Sequence, residues 1–232
     1  RMVGGDKRFV EIFKRIKKTE TCRFHMYTSE TGCQFSIKNG LNTNFVISTT
    51  SVEDNLLKSR ISLLYIYRIL KSFFHIPELS KYDILYSTSD FLPDTLPAFV
   101  CKLRNTNIKW IQVIHHVYEN PVKRRGKNFI VNLLGFLSQR ISFVMIKSKA
   151  DLVITVNPLV KRQLVGLGFN SQKIRVNYNG VDLMKIKRIK PSDKEYDCAF
   201  LGRLNVSKGV FDIVRIWKII VNKNPDVTLA VI

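Results

Sequence analysis

Apolar positions along the chain alternate between the period of a helix and the short bursts of buried strands. Phe9, Val10, Ile12, Phe13 and Ile16 recur at helical spacing, with Lys7, Arg8, Lys14 and Arg15 largely on the opposite face. Residues 24–28 and 44–48 suit short strands, and the pairs Thr31-Gly32 and Asn39-Gly40 mark turns between them. Residues 55–74 predict one long helix, in which Leu63, Tyr67, Leu70 and Phe74 share a face. Then come a strand at 82–86, a polar loop at 87–90, a helix at 92–104 and a strand at 108–114 that ends in His115-His116. An apolar helix at 129–146, a strand at 151–156, a helix through Leu164 stopped by Gly166 and Gly168, and a short strand at 173–177 complete this part.

The alternation of strand and helix predicts an α/β fold built on parallel sheets. Near the end of the chain the pattern becomes more specific. Ala199-Phe200-Leu201 is a fully apolar burst, as expected for a parallel strand covered on both faces, and Gly202 suits an abrupt exit from it. Val210, Ile213, Val214, Ile216, Trp217 and Ile220 then recur at helical spacing, so Arg203 and Lys208 stand between a strand end and a helix start. In an open α/β sheet that crevice receives ligands, and free amides at a helix start favour an anion. Two cations there suit a diphosphate.

The segment from Gly202 to Gly209 resembles the G-R-x-x-x-x-K-G element of family 4 of the retaining glycosyltransferases, which have the GT-B fold of two Rossmann-like domains. Three further segments resemble that family in the same order: Gly4-Gly5, read as a loop ahead of a helix; His115 after its strand; and Asn179-Gly180-Val181-Asp182. The resemblance implies an enzyme that moves a sugar from a nucleotide-diphosphate donor to a glycan or lipid-linked acceptor, with retention at the anomeric carbon. It implies that Arg203 and Lys208 hold the donor diphosphate, that Gly4 and Gly5 offer backbone contacts to it, and that His115 acts on the transferring sugar or the acceptor. It further implies an N-terminal domain over 1–182 that lacks its first strand, and a linker with the start of a second, nucleotide-sugar-binding domain over 183–232. Both edges of the sequence read as cut, and the family's E-x7-E element is expected beyond residue 232. The fragment alone is therefore expected to be inactive. No D-x-D pair occurs, and neither a metal nor another cofactor is expected.

Composition adds a partner to this picture. The formal charge is +20, with 38 Lys and Arg against 18 Asp and Glu, and no acidic residue lies between Glu119 and Asp151. Such a balance points to phosphates, anionic lipid or nucleic acid. A non-catalytic basic protein that binds nucleic acid or anionic membrane is the alternative reading, but no nucleic-acid-binding motif is evident and a nucleic-acid partner is not expected. An anionic membrane surface is expected as a further partner, through Lys123, Arg124, Arg125 and Lys127 and the aromatic end of the helix at Phe73-Phe74. Asn132, Gln139 and Arg140 interrupt the apolar helix at 129–146, which is therefore read as a core or interface helix rather than a span. Cys22, Cys33, Cys101 and Cys198 form no C-x-x-C motif, and a cytoplasmic location is expected, at the inner face of the membrane.

Overall fold

The structure is a computed structural model that describes residues 4–19, 22–57, 61–121, 129–190, 193–204 and 208–232. The chain forms two compact units, Arg1–Gly180 and Val181–Ile232.

The first unit runs α1 (Gly4–Lys18), β1 (His25–Thr28), α2 (Glu30–Lys38), β2 (Asn44–Ile47), α3 (Ser51–Leu57), α4 (Ile61–Phe74), α5 (Ile76–Leu79), β3 (Ile84–Ser87), α6 (Leu92–Arg104), β4 (Lys109–Ile114), α7 (Phe129–Lys149), β5 (Leu152–Thr155), α8 (Pro158–Gly166) and β6 (Ile174–Val176). The strands form two sheets, β1-β2 and β3-β4-β5-β6, and every neighbouring pair is parallel. The expected α/β class with parallel sheets is therefore the one observed. Because β3 to β6 all point the same way, their C-terminal ends share one edge, where the loops after β3 and β4 meet.

The core lies between the four-stranded sheet and α6, α7 and α8, with Ile108, Trp110, Ile114, Ile146, Leu164 and Ile174 almost wholly enclosed. Trp110 Nε1 donates to Ser87 Oγ at 3.0 Å, so even its polar edge is satisfied. Lys102 is a buried cation at the end of α6. It donates to the carbonyls of Thr106 and Ile108 at 2.8 and 2.6 Å and pairs with Asp151 at 2.9 Å, while Asp151 accepts from the Trp110 amide. A buried charge without such partners would be strongly destabilising.

Three local expectations are corrected. The Thr31-Gly32 pair is no turn between strands: Ser29 caps α2 by accepting from the Gly32 amide at 3.2 Å, so this glycine lies in the first turn of a helix. The helix expected over 55–74 is two helices, α3 and α4, and residues 58–60 between them lie outside the described ones. Gly4 and Gly5 are the first two residues of α1 rather than a loop ahead of it.

α7 has 21 residues and is long and apolar enough to cross a membrane by length and composition alone. One face of it, with Ser138, Gln139, Ser142, Phe143, Met145 and Ile146, is nevertheless buried in the fold.

The second unit holds α9 (Leu183–Lys187), β7 (Cys198–Phe200), α10 (Val210–Lys223) and β8 (Leu229–Val231), with β7 and β8 parallel. Asp182 caps α9 by accepting from the amides of Met184 and Lys185 at 3.1 and 3.3 Å. The expected burst at 199–201 is a strand over Cys198–Phe200, but Cys198 and Ala199 are exposed and Leu201 is 81% exposed. Its apolar side chains have two strands and one long helix as company within this unit, too little to cover both faces of a sheet.

Candidate active site

The ligand edge of the four-stranded sheet is built by two loops. After β3 come Thr88, Ser89 and Asp90; after β4 come His115 and His116. His115 Nε2 lies 3.1 Å from the Thr88 carbonyl. A carbonyl can only accept, so Nε2 carries the hydrogen and Nδ1 is the ring's remaining acceptor. Burial pushes the His115 pKa below its ordinary value, with the Arg8 charge acting in the same direction, against a raising hydrogen bond to Thr88. His116 is exposed and sits edge-on to Tyr118, with centroids 4.7 Å apart.

The first turn of α1 closes on this histidine. A Cβ added at Gly5 would stand 3.3 Å from His115 Nε2, a contact tighter than side chains ordinarily make. Gly5 and His115 are thus brought together, although 110 positions apart by their numbering. Gly4 opens the same helix.

Gln139, from the buried face of α7, fixes the loop that carries the histidines. Its Nε2 donates to Asp90 Oδ2 at 2.5 Å and to the His116 carbonyl at 2.9 Å, and its Oε1 accepts from the Tyr118 amide at 2.7 Å. Asp90 is only 5% exposed, and burial pushes its carboxyl above the usual range. Burial does the same to Asp94, whose Oδ2 accepts from Ser89 Oγ at 2.5 Å in the first turn of α6. Gln112 holds the other loop by donating to the Ser89 carbonyl at 2.8 Å. In the sequence Gln139 reads only as an interruption of an apolar run. The available signal was a trio of polar residues, Ser138, Gln139 and Ser142, on the inward side of an otherwise apolar helix.

Arg203 and Lys208 belong to the second unit. Both are exposed, on the loop between β7 and α10, of which 205–207 lie outside the described residues. A Cβ at Gly202 would meet the Phe200 ring at 3.7 Å and Lys208 Cβ at 3.9 Å. Gly202 does not take the left-handed backbone; that conformation falls at Gly209, φ 75°, which precedes α10. Among the described residues no side chain caps α10, so its first amides are open at the end of the loop that carries Arg203 and Lys208. Lys123, Arg124, Arg125 and Lys127 lie outside the described residues.

The sequence profile of Glycosyltransferase Family 4 matches residues 8–185, and the chain belongs to that family. It is 29% identical over 155 residues to an uncharacterized glycosyltransferase of Methanocaldococcus jannaschii, a match that covers 63% of this chain and 38% of that relative. Among solved structures it is similar to HepE of Anabaena in complex with UDP and glucose, with a TM-score of 0.66 at 14% identity over 100% of this chain and 58% of that one. HepE in complex with UDP-glucose gives a TM-score of 0.58 at 12% identity, covering 66% of that chain. At these identities the likeness speaks for the fold, and the fold class is the GT-B type. The chain spans 38% of the length of its curated relative.

Proposed function

We propose that this chain is part of an enzyme that transfers a sugar from a nucleotide-diphosphate donor to a glycan or lipid-linked acceptor, with retention at the anomeric carbon. The observation that carries the reading is the contact of Gly5 with His115 at the ligand edge of a family 4 fold. In this reading Gly4 and Gly5 leave the start of α1 open to a phosphate, and His115 meets the transferring sugar or the acceptor through Nδ1. Arg203 and Lys208 neutralise the charge that builds on the departing diphosphate, the electrostatic work that a metal does elsewhere. No metal is assigned to the reaction. HepE was solved with UDP-glucose, which makes a uridine donor the first to try. Calorimetric titration of the full-length protein with UDP and with GDP tests the reading. Saturable binding of one nucleotide supports it, and binding of neither contradicts it.

The acceptor side of the proposal is a membrane. α7 presents an outward row of Ile130, Leu134, Leu137, Ile141 and Val144, from 46% to 70% exposed. α4 adds Ile66, Leu70 and Phe74, the last 80% exposed. The two helices are tied by the Tyr65 hydroxyl and Ser138 Oγ at 2.7 Å. Single exposed apolar residues are ordinary, whereas rows of them at helical spacing suit a lipid surface. The acid-free stretch from 120 to 150 makes that surface an anionic one, at the cytoplasmic face, where a lipid-linked acceptor would be presented.

A further inference from the structure

We propose that Arg8 is an anion-binding residue of this site, holding a phosphate oxygen beside His115. The proposal rests on the transferase reading above and adds a residue to it. Arg8 follows Gly5 by three positions on α1, hence on the same side of that helix. Its Nη2 donates to the Asn177 carbonyl at 3.1 Å, just past the C-terminal end of β6. The Tyr86 phenol lies beside the Arg8 side chain, whose charge favours the ionised form of that phenol. Among the described residues its buried Nε has no hydrogen-bond partner and no carboxylate pairs with its guanidinium.

A guanidinium brings five N–H donors in a planar fork. Here one is spent on a carbonyl, and another is enclosed with nothing to accept from it, an arrangement that folded proteins seldom leave uncompensated. The groups set against Arg8 are a phenol and a backbone carbonyl, with His115 beside them, while Asp90 on the same edge is buried against Gln139. None of those set against Arg8 is an anion. The Nη end of this half-buried side chain is the open one, and a phosphate oxygen there would supply the missing negative charge; the fork matches phosphate better than an ammonium does. Two sources share this chemistry: the diphosphate of the donor and a phosphate carried by the acceptor.

The test uses the full-length protein, with Arg8→Gln and Arg8→Lys beside the wild type. Calorimetry measures UDP first, then inorganic phosphate added to UDP-saturated protein. If the donor is the source, Arg8→Gln weakens UDP by at least about tenfold and Arg8→Lys recovers part of the loss. If the acceptor is the source, UDP affinity holds while phosphate binding to the UDP-saturated protein disappears. A lower melting temperature with both affinities unchanged overturns the proposal, because Arg8 would then only clamp Asn177. That result leaves the transferase reading standing if Arg203 and Lys208 variants still lose UDP. A wild type that binds neither UDP nor GDP overturns both.

Discussion

Gly5 and His115 meet so closely that a side chain on the first would press on the ring of the second, at 3.3 Å from Nε2 to the added Cβ. Two effects of Gly5→Ala then oppose each other. Alanine is the better helix former by roughly 0.5–1 kcal/mol, which favours α1. The methyl group pushes His115 off the Thr88 carbonyl. We expect a melting temperature that is unchanged or raised, with turnover reduced at least about tenfold, as for a small misplacement of a reacting group. Thermal melts and initial rates on the full-length protein check this; an active Gly5→Ala enzyme would remove the contact from the account.

His115 should outweigh His116. His115→Ala is expected to lower turnover far more than His116→Ala, because His116 is exposed and holds the loop through its backbone carbonyl. The pH dependence follows from burial. A folded pKa below the ordinary 6.5 means the fold favours neutral imidazole, so this stabilising contribution is complete above pH 6.5 and is lost as pH falls through the folded value. Melting temperatures measured from pH 8 to 5 should fall on the acid side, and His115→Gln should remove that component.

Gln139→Leu would take the Gln139 hydrogen bonds away from Asp90 Oδ2, the His116 carbonyl and the Tyr118 amide. Unsatisfied buried groups cost about 1–3 kcal/mol each, so a loss of roughly 3 kcal/mol is expected in chemical denaturation. Asp90→Asn should act the other way at neutral pH. It keeps an acceptor for Gln139 and removes a charge whose burial raises the carboxyl pKa, a group whose contribution is favourable below 3.8 and fades as pH rises through the folded value.

The outward row of α7 predicts vesicle binding. Full-length protein should co-sediment with vesicles containing phosphatidylserine more than with neutral ones, and added salt should weaken the binding. Ile130→Asp together with Val144→Asp should reduce it without unfolding, since both side chains are more than 60% exposed. Binding indifferent to lipid charge, salt and both substitutions would reject the membrane partner.

What could be read from the sequence was set by local chemistry, and what could not was set by long-range contact. The strands bounded by apolar bursts, the helices of regular spacing and the parallel order all follow from patterns within ten or so residues. α2 escaped because Thr31-Gly32 carries the composition of a turn, while the Ser29 cap that makes it a helix start depends on backbone geometry. The exposed β7 contradicts its own apolar composition because burial depends on which elements lie over it. Within the candidate site, His115 was legible from its place after an apolar strand. Gln139 and Arg8 were not, since their partners lie 21 to 49 and 169 positions away.

The donor site offers the most direct test of the whole account. Arg203 and Lys208 stand on the loop between β7 and an uncapped α10, and charge-assisted bonds contribute about 1.5–3 kcal/mol each. Calorimetric titration of the full-length protein with UDP, and with GDP if UDP fails, should show saturable binding in the wild type. Replacing both residues by Ala should weaken it at least about tenfold, with the melting temperature of the free protein preserved. An unchanged affinity in the double variant, or a wild type that binds neither nucleotide, would contradict the account.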